Sequence, residues 1–116
     1  MVEIVINSDQ EVYQIIVVGD VDASSSIHLD NAMSTAIEQN ESKIMVDCVG
    51  LAYISSAGLG VFMSYLEDLK ANNARFVIYG LNDKVKYVFN LIGLENLFTI
   101  VSSKEEAIKY LNDLQA

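Results

Sequence analysis

The stretch Ser55-Ser56-Ala57-Gly58-Leu59-Gly60 has the residue types best suited to chemistry in this chain. It follows the apolar run Ile44-Met45-Val46 and a short link, and it leads directly into a helical pattern. Two hydroxyls therefore lie where a loop becomes a helix, a position where backbone N–H groups are free and negative charge is tolerated. A serine at this position can receive or hold a phosphate without disrupting the fold.

A second candidate group is the pair of carboxylates Asp20 and Asp22. They lie at the end of a predicted buried strand and just before a predicted helix. One interpretation is a turn with favourable charge near a helix start. The other is a functional site beside the stretch 55–60, called the serine loop below. Both segments follow strands of one parallel sheet, and open α/β sheets bind ligands at the carboxyl ends of their strands. Both interpretations stay open at this point.

Several other kinds of chemistry lack the residues that they need. A nucleophilic serine requires a base, but His28 is the sole histidine and no Gly-x-Ser-x-Gly elbow surrounds Ser55 or Ser56. A dinucleotide fingerprint fails because Met63 takes the place of its third glycine, and a phosphate-binding Gly-Lys-Ser/Thr loop is absent. Gly58 and Gly60 instead indicate close packing of the first helical turn on the sheet. One histidine and Cys48 are too few for a metal site, so no cofactor is expected.

Length and composition indicate one globular domain spanning residues 1–116, since 52% of the residues are hydrophobic and 20% are charged. The net charge of −9, from 7 basic against 16 acidic residues, argues against nucleic acid and anionic membranes as partners. No apolar run approaches the length of a membrane span, and the first residues lack signal-peptide features. We therefore expect a cytoplasmic protein without membrane insertion, with Cys48 as a buried, reduced thiol.

The hydrophobic periodicity predicts an α/β fold in the order ββαβαβαβα, with a four- to five-stranded, mainly parallel or mixed sheet and about four helices. The opening hairpin adds the antiparallel element. The predicted elements are strands 2–6, 12–18, 44–48, 75–79 and 97–101, and helices from the serines 24–26 to 39, 57–70, 82–92 and 103 onward. Ser102 and Glu105 have capping-box spacing for the last helix. Gly93 is well placed as the left-handed C′ residue that follows the third helix.

Three segments together resemble the STAS domain family, and specifically its stand-alone bacterial anti-sigma factor antagonists. The first is Ile44-Met45-Val46-Asp47 followed by Leu51 and Tyr53–Val61. The second is Gly19-Asp20-Val21-Asp22, which resembles the family's turn before its first helix. The third is Leu91-Ile92-Gly93-Leu94. The resemblance covers nearly the whole chain, in order and spacing, and it implies the STAS fold.

The resemblance also implies a partner-switching cycle rather than an enzyme. The unphosphorylated antagonist binds an anti-sigma factor, which is itself a GHKL-type serine kinase, and so frees the sigma factor for transcription. The kinase then phosphorylates one antagonist serine, and a PP2C-type phosphatase restores it. The family pattern places the acceptor at Ser56, with Ser55 as a rival. The implied partner-binding residues are Asp20, Asp22, Ser24, Ser55, Ser56, Ala57, Gly58 and Leu59.

Two residues depart from the family pattern. Ser55 stands where many members have aspartate, and Ala57 stands where they have serine or threonine. The alternative function that the same resemblance allows is a STAS subunit of a lipid-transport or stressosome-type assembly. A pull-down separates the two, since a GHKL-type kinase supports the first and a transport ATPase the second.

Overall fold

The structure is a computed structural model that describes residues 2–9 and 12–113. The strands are β1 Val2–Asp9, β2 Val12–Val21, β3 Lys43–Asp47, β4 Leu51–Ile54, β5 Arg75–Tyr79 and β6 Thr99–Val101. The helices are α1 Ser26–Glu38, α2 Ser56–Ser64, α3 Leu66–Ala71, α4 Asp83–Leu91 and α5 Lys104–Asn112, with a 3-10 turn at Leu94–Asn96.

The described strands form one mixed sheet in the spatial order β1-β2-β3-β5-β6, with β4 paired to β2. β1 runs antiparallel to β2, and every other pairing is parallel. Each parallel crossover carries at least one helix, as β-α-β connections require. The predicted α/β fold with a mixed, mainly parallel sheet is therefore confirmed.

Strand β4 is the main element that the sequence interpretation missed. β3 pairs with the first part of β2, where Tyr13 faces Ile44, and β4 pairs with its last part, where Val21 faces Ile54. A turn at residues 49–50 separates β3 from β4. Gly19 N–H of β2 donates to the Gly50 carbonyl of this turn over 2.9 Å. The sequence interpretation treats residues 47–54 as a short link, whereas Leu51–Ile54 form a strand. The sheet has six described strands, not four or five.

The predicted helix over 57–70 is two helices that meet at Tyr65. This residue both ends α2 and precedes α3, with φ −98° and ψ 1°. Its hydroxyl donates to the Asp30 carboxylate over 2.9 Å and also lies 3.1 Å from the Asp30 carbonyl on α1. This tertiary contact coincides with the break, and the helical periodicity of the sequence carries no sign of it.

The two faces of the sheet are covered unequally. α1 to α4 pack on one face, over alternate strand residues such as Ile44 and Val46. α5 covers part of the other face, where Met45, Val77 and Tyr79 meet Ala107 and Leu111. Four phenylalanines, with neighbouring ring centroids 5.5–6.4 Å apart, fill the larger core; they are Phe62, Phe76, Phe89 and Phe98. Cys48 is fully buried, as predicted.

Two predicted helix caps differ from the structure in detail. α5 is capped by Ser103, whose Oγ accepts from Glu106 N–H over 3.2 Å, so the predicted Ser102–Glu105 capping box is one residue too early. Ser25, one of the three serines predicted as N-caps of α1, does occupy the N-cap position, but no side chain caps the helix because the preceding turn engages the serine hydroxyls, as described below. Gly93 has φ 77°, which confirms its predicted left-handed position after α4.

Candidate functional site

The serine loop is held from both sides by backbone and side-chain hydrogen bonds. Ser55 N–H donates to the Val21 carbonyl of β2 over 2.8 Å. Ser55 is the N-cap residue of α2, and its Oγ accepts from Gly58 N–H at 3.3 Å while its carbonyl accepts from Leu59 N–H at 3.0 Å. Ser55 is half-buried and its hydroxyl is engaged in this cap.

Ser56 differs from Ser55 in every respect that matters for modification. It is the first residue of α2, and its side chain is exposed. Its Oγ makes no hydrogen bond with any residue in the described ranges. The N–H groups of Ser56 and Ala57 likewise find no acceptor there, as is normal for the first turn of a helix. The structure therefore presents an unengaged hydroxyl beside free backbone donors.

Gly58 allows α2 to approach the sheet closely. A Cβ built at this position would lie 2.7 Å from Ile54 Cγ1 and 2.8 Å from Val21 Cγ1, closer than real contacts allow. The predicted close packing of the first helical turn is thus confirmed at Gly58. It does not extend to Gly60, where an added Cβ would meet nothing within 4 Å.

The turn after β2 is organised around the Asp22 carboxylate. Its Oδ1 accepts from the N–H groups of Ser24 (3.0 Å) and Ser25 (2.9 Å) and from their hydroxyls at 2.8 and 2.9 Å. Ser25 Oγ in turn accepts from Asp22 N–H over 2.9 Å. Because the hydroxyls of Ser24 and Ser25 are engaged in this network, neither side chain caps α1. The bonds from Ser24 and Ser25 lower the pKa of Asp22 to about 2, because hydrogen bonds to a carboxylate favour its charged form.

The two candidate segments lie side by side, as predicted from their places after parallel strands. Asp20 faces Tyr53 and Val21 faces Ile54 in the β2–β4 register, so the Asp22 turn and the Ser55 loop leave neighbouring strand ends. Asp20, Ser24, Ser56 and Ala57 are exposed there. Gly58 and Leu59 are buried, so they position the loop rather than offer surface to a partner.

A groove that the sequence interpretation did not find opens between β4 and α4. Its volume is about 460 Å³, and its lining residues are Ala52, Tyr53, Ile54, Lys84, Val85, Tyr87 and Val88. Asn82 joins the two walls, since its Oδ1 caps α4 by accepting from Val85 N–H at 2.8 Å and its Nδ2 donates to the Leu51 carbonyl at 3.1 Å. Missing β4 concealed this groove, although the apolar run Leu51–Ile54 was a readable signal of a strand.

The described residues contain no group of three or more His, Cys, Asp or Glu side chains arranged to hold a metal ion. Over the same ranges, 2–9 and 12–113, no helix is both long enough and apolar enough to cross a membrane.

Comparison with known proteins places this arrangement in a family. Residues 3–107 match the STAS domain family, and the chain therefore belongs to it. Among curated relatives, the anti-sigma-B factor antagonist of Listeria monocytogenes is 26% identical over 98 residues, which cover 84% of this chain and 86% of the relative.

Solved structures share the fold at lower identity. An anti-sigma factor antagonist from Mycobacterium paratuberculosis superposes with a TM-score of 0.90 at 17% identity, covering 97% of this chain and 96% of the other. The Bacillus cell fate determinant SpoIIAA in its phosphorylated form superposes with a TM-score of 0.69 at 23% identity, covering 94% and 97% of the two chains.

Proposed function

We propose that this chain is an anti-sigma factor antagonist controlled by phosphorylation of Ser56. In its unphosphorylated form it binds an anti-sigma factor, a GHKL-type serine kinase, and thereby frees a sigma factor for transcription. Phosphorylation of Ser56 by that kinase ends the binding, and a PP2C-type phosphatase reverses the modification. The names of the curated relatives and the shared fold support the antagonist role.

The contrast between the Ser55 and Ser56 hydroxyls supports Ser56 as the phosphoacceptor. Ser56 Oγ is exposed and unengaged, whereas Ser55 Oγ is half-buried and accepts the Gly58 N–H that starts α2. A kinase can reach the Ser56 hydroxyl without disturbing the helix. The Ser55 hydroxyl is less accessible to a kinase, because it is half-buried and already engaged in the cap of α2.

The physical basis of the switch is local. A phosphate adds about −1.5 to −2 charges at pH 7, and the free N–H groups and dipole at the start of α2 offset part of that charge within the protein. The fold therefore changes little. The partner surface, fitted to a neutral hydroxyl, has to desolvate an ionic group instead. A penalty of about 3–4 kcal/mol weakens binding several hundredfold, so no long-range conformational change is required.

Asp20, Asp22, Ser24 and Ala57 complete the proposed contact surface around Ser56. Asp22 contributes to this surface indirectly, because the hydrogen bonds that it accepts from Ser24 and Ser25 fix the shape of the turn beside the serine loop. Asp20 and Ala57 are exposed, and they lie near the neighbouring carboxyl ends of β2 and β4. The carboxylates make this surface acidic, in a chain whose net charge is −9.

The test is mass spectrometry of the protein after incubation with ATP and a GHKL-type anti-sigma factor kinase from the same genome. We expect one phosphate, mapped to Ser56, in the wild type and in Ser55→Ala, and none in Ser56→Ala. A phosphate mapped to Ser55, or undiminished incorporation into Ser56→Ala, would overturn the assignment of the acceptor. The absence of any phosphate in the wild type would contradict the switch itself.

A further inference from the structure

The groove between β4 and α4 has aromatic walls that the fold leaves open. Tyr53 on β4 is 53% exposed and Tyr87 on α4 is 65% exposed, although both line an apolar recess with Ala52, Val85 and Val88. Tyrosine beside a concave apolar surface is typical of the residues that dominate protein–protein interfaces. Neither hydroxyl makes a hydrogen bond with a residue that the structure describes.

The strand that borders the groove is paired on one side only. β4 pairs with β2, and no described strand pairs with its other side. Ser55 N–H faces β2, where it meets the Val21 carbonyl, so the preceding N–H, that of Ile54, faces the groove because neighbouring peptide groups of a strand point to opposite sides. Asn82 already satisfies the Leu51 carbonyl on this side. The groove therefore combines apolar walls with a short free strand edge, which is the combination that binds an extended peptide.

The groove is continuous with the serine loop. Ile54 lines it, and Ser55 and Ser56 follow Ile54 directly in the chain. Any protein that covers Ser56 is thus within one or two residues of the groove. Lys84 is the charged residue among those that line the groove, beside an otherwise acidic site, so it favours a carboxylate on the ligand.

We propose that this groove receives an extended segment of the anti-sigma factor, with one apolar side chain packed against Tyr53 and Tyr87. The inference rests on the proposed function and names a second part of the same interface. A second copy of this chain is disfavoured as the occupant, because self-association would bring together two molecules of net charge −9. A small apolar ligand would leave the free edge of β4 without hydrogen-bond partners.

The experiment compares two substitutions on α4 that differ in position but not in exposure. Tyr87→Ser removes a groove wall, whereas Leu91→Ser changes a side chain that is also 65% exposed, one turn further along, and does not line the groove. The probe is a GHKL-type anti-sigma factor kinase from the same genome, in the presence of ADP, with binding measured by calorimetry. We expect at least tenfold weaker binding for Tyr87→Ser and a change of less than twofold for Leu91→Ser, with unchanged circular dichroism for both. Amide exchange of Ile54 should also slow in the wild-type complex.

The possible failures are distinguishable. If the wild type binds and Ser56→Asp does not, but Tyr87→Ser binds within twofold of the wild type, the groove proposal is overturned and the proposed function stands. Equal weakening by Tyr87→Ser and Leu91→Ser also overturns the groove proposal. So does a wild-type dimer in light scattering that Tyr87→Ser dissociates, because a second copy would then be the occupant. If the wild type does not bind the kinase, the proposed function fails first.

Discussion

At the scale of single residues, the structure explains how Ser55 can stand where many family members have aspartate. The position is the N-cap of α2, and what the cap requires is an oxygen that accepts from Gly58 N–H. Serine and aspartate both supply it, and both are favoured N-cap residues. The departure from the family pattern therefore preserves the geometry of the loop, while it removes one negative charge next to Ser56.

Substitutions at Ser55 should follow this capping role. Ser55→Ala loses the acceptor and should lower the free energy of unfolding by about 1 kcal/mol. Ser55→Asp should be neutral or stabilising by up to about 1 kcal/mol, because a carboxylate at a helix N-terminus also interacts favourably with the dipole. Urea denaturation of the three proteins checks both values. Equal stability of Ser55→Ala and the wild type would contradict the cap.

Asp22 should give the stability of the protein a specific dependence on acid pH. Hydrogen bonds from Ser24 and Ser25 lower its folded-state pKa to about 2, whereas an unfolded aspartate titrates near about 3.9. The contribution of the ionised carboxylate is therefore fully present above about pH 4 and is lost as the pH falls through about 2. Accordingly, the stability difference between wild type and Asp22→Asn should shrink over that interval. A difference that stays constant between pH 5 and 2 would argue against these bonds.

At the scale of elements, α2 depends on how closely its first turn lies on the sheet. Gly58 and Gly60 sit in the same helix but should respond oppositely to alanine. Gly58→Ala drives a Cβ into Ile54 and Val21 and should destabilise by about 1–3 kcal/mol. Gly60→Ala points into open space and should stabilise by about 0.5–1 kcal/mol, because glycine is unfavourable inside a helix. Thermal unfolding of the two variants distinguishes them, and a shift of the same sign in both would contradict the packing.

Element types were predictable from the sequence wherever the hydrophobic period was long enough to read. β5 was predicted at its observed bounds, and the predicted start of the third helix at residue 82 coincides with Asn82, the N-cap of α4. The errors arose where tertiary contacts decide local structure. Tyr65 ends α2 where its hydroxyl bonds Asp30 on α1, and the four residues of β4 pair with the end of β2. Neither contact leaves a periodic signal in its own segment.

At the scale of the whole molecule, the fold brings the two chemically suggestive segments to neighbouring strand ends. Their adjacency was predictable because both segments follow strands of one parallel sheet, although the strand that brings the serine loop beside the end of β2 is β4, which the sequence interpretation missed. The difference between Ser55 and Ser56 was not, because two adjacent hydroxyls look alike in a sequence. The hydrogen bond from Gly58 N–H engages the Ser55 hydroxyl in the fold and leaves the Ser56 hydroxyl exposed. The groove beside them was missed together with β4, which forms one of its walls.

The proposed switch requires that a negative charge at Ser56 blocks binding of the protein partner while the fold stays intact. Ser55 and Ser56 provide an internal control, because the same carboxylate can be placed at either residue. At Ser55 it replaces one N-cap acceptor by another. At Ser56 it lies on the exposed surface that we propose the partner covers.

The most direct measurement is therefore the affinity of the anti-sigma factor kinase for Ser55→Asp and Ser56→Asp, determined by calorimetry in the presence of ADP. We predict that Ser55→Asp binds within a few-fold of the wild type. Ser56→Asp should bind at least a hundredfold more weakly, which corresponds to a penalty of about 3 kcal/mol, with the circular dichroism of both variants unchanged. Tight binding by a well-folded Ser56→Asp protein would contradict the central claim.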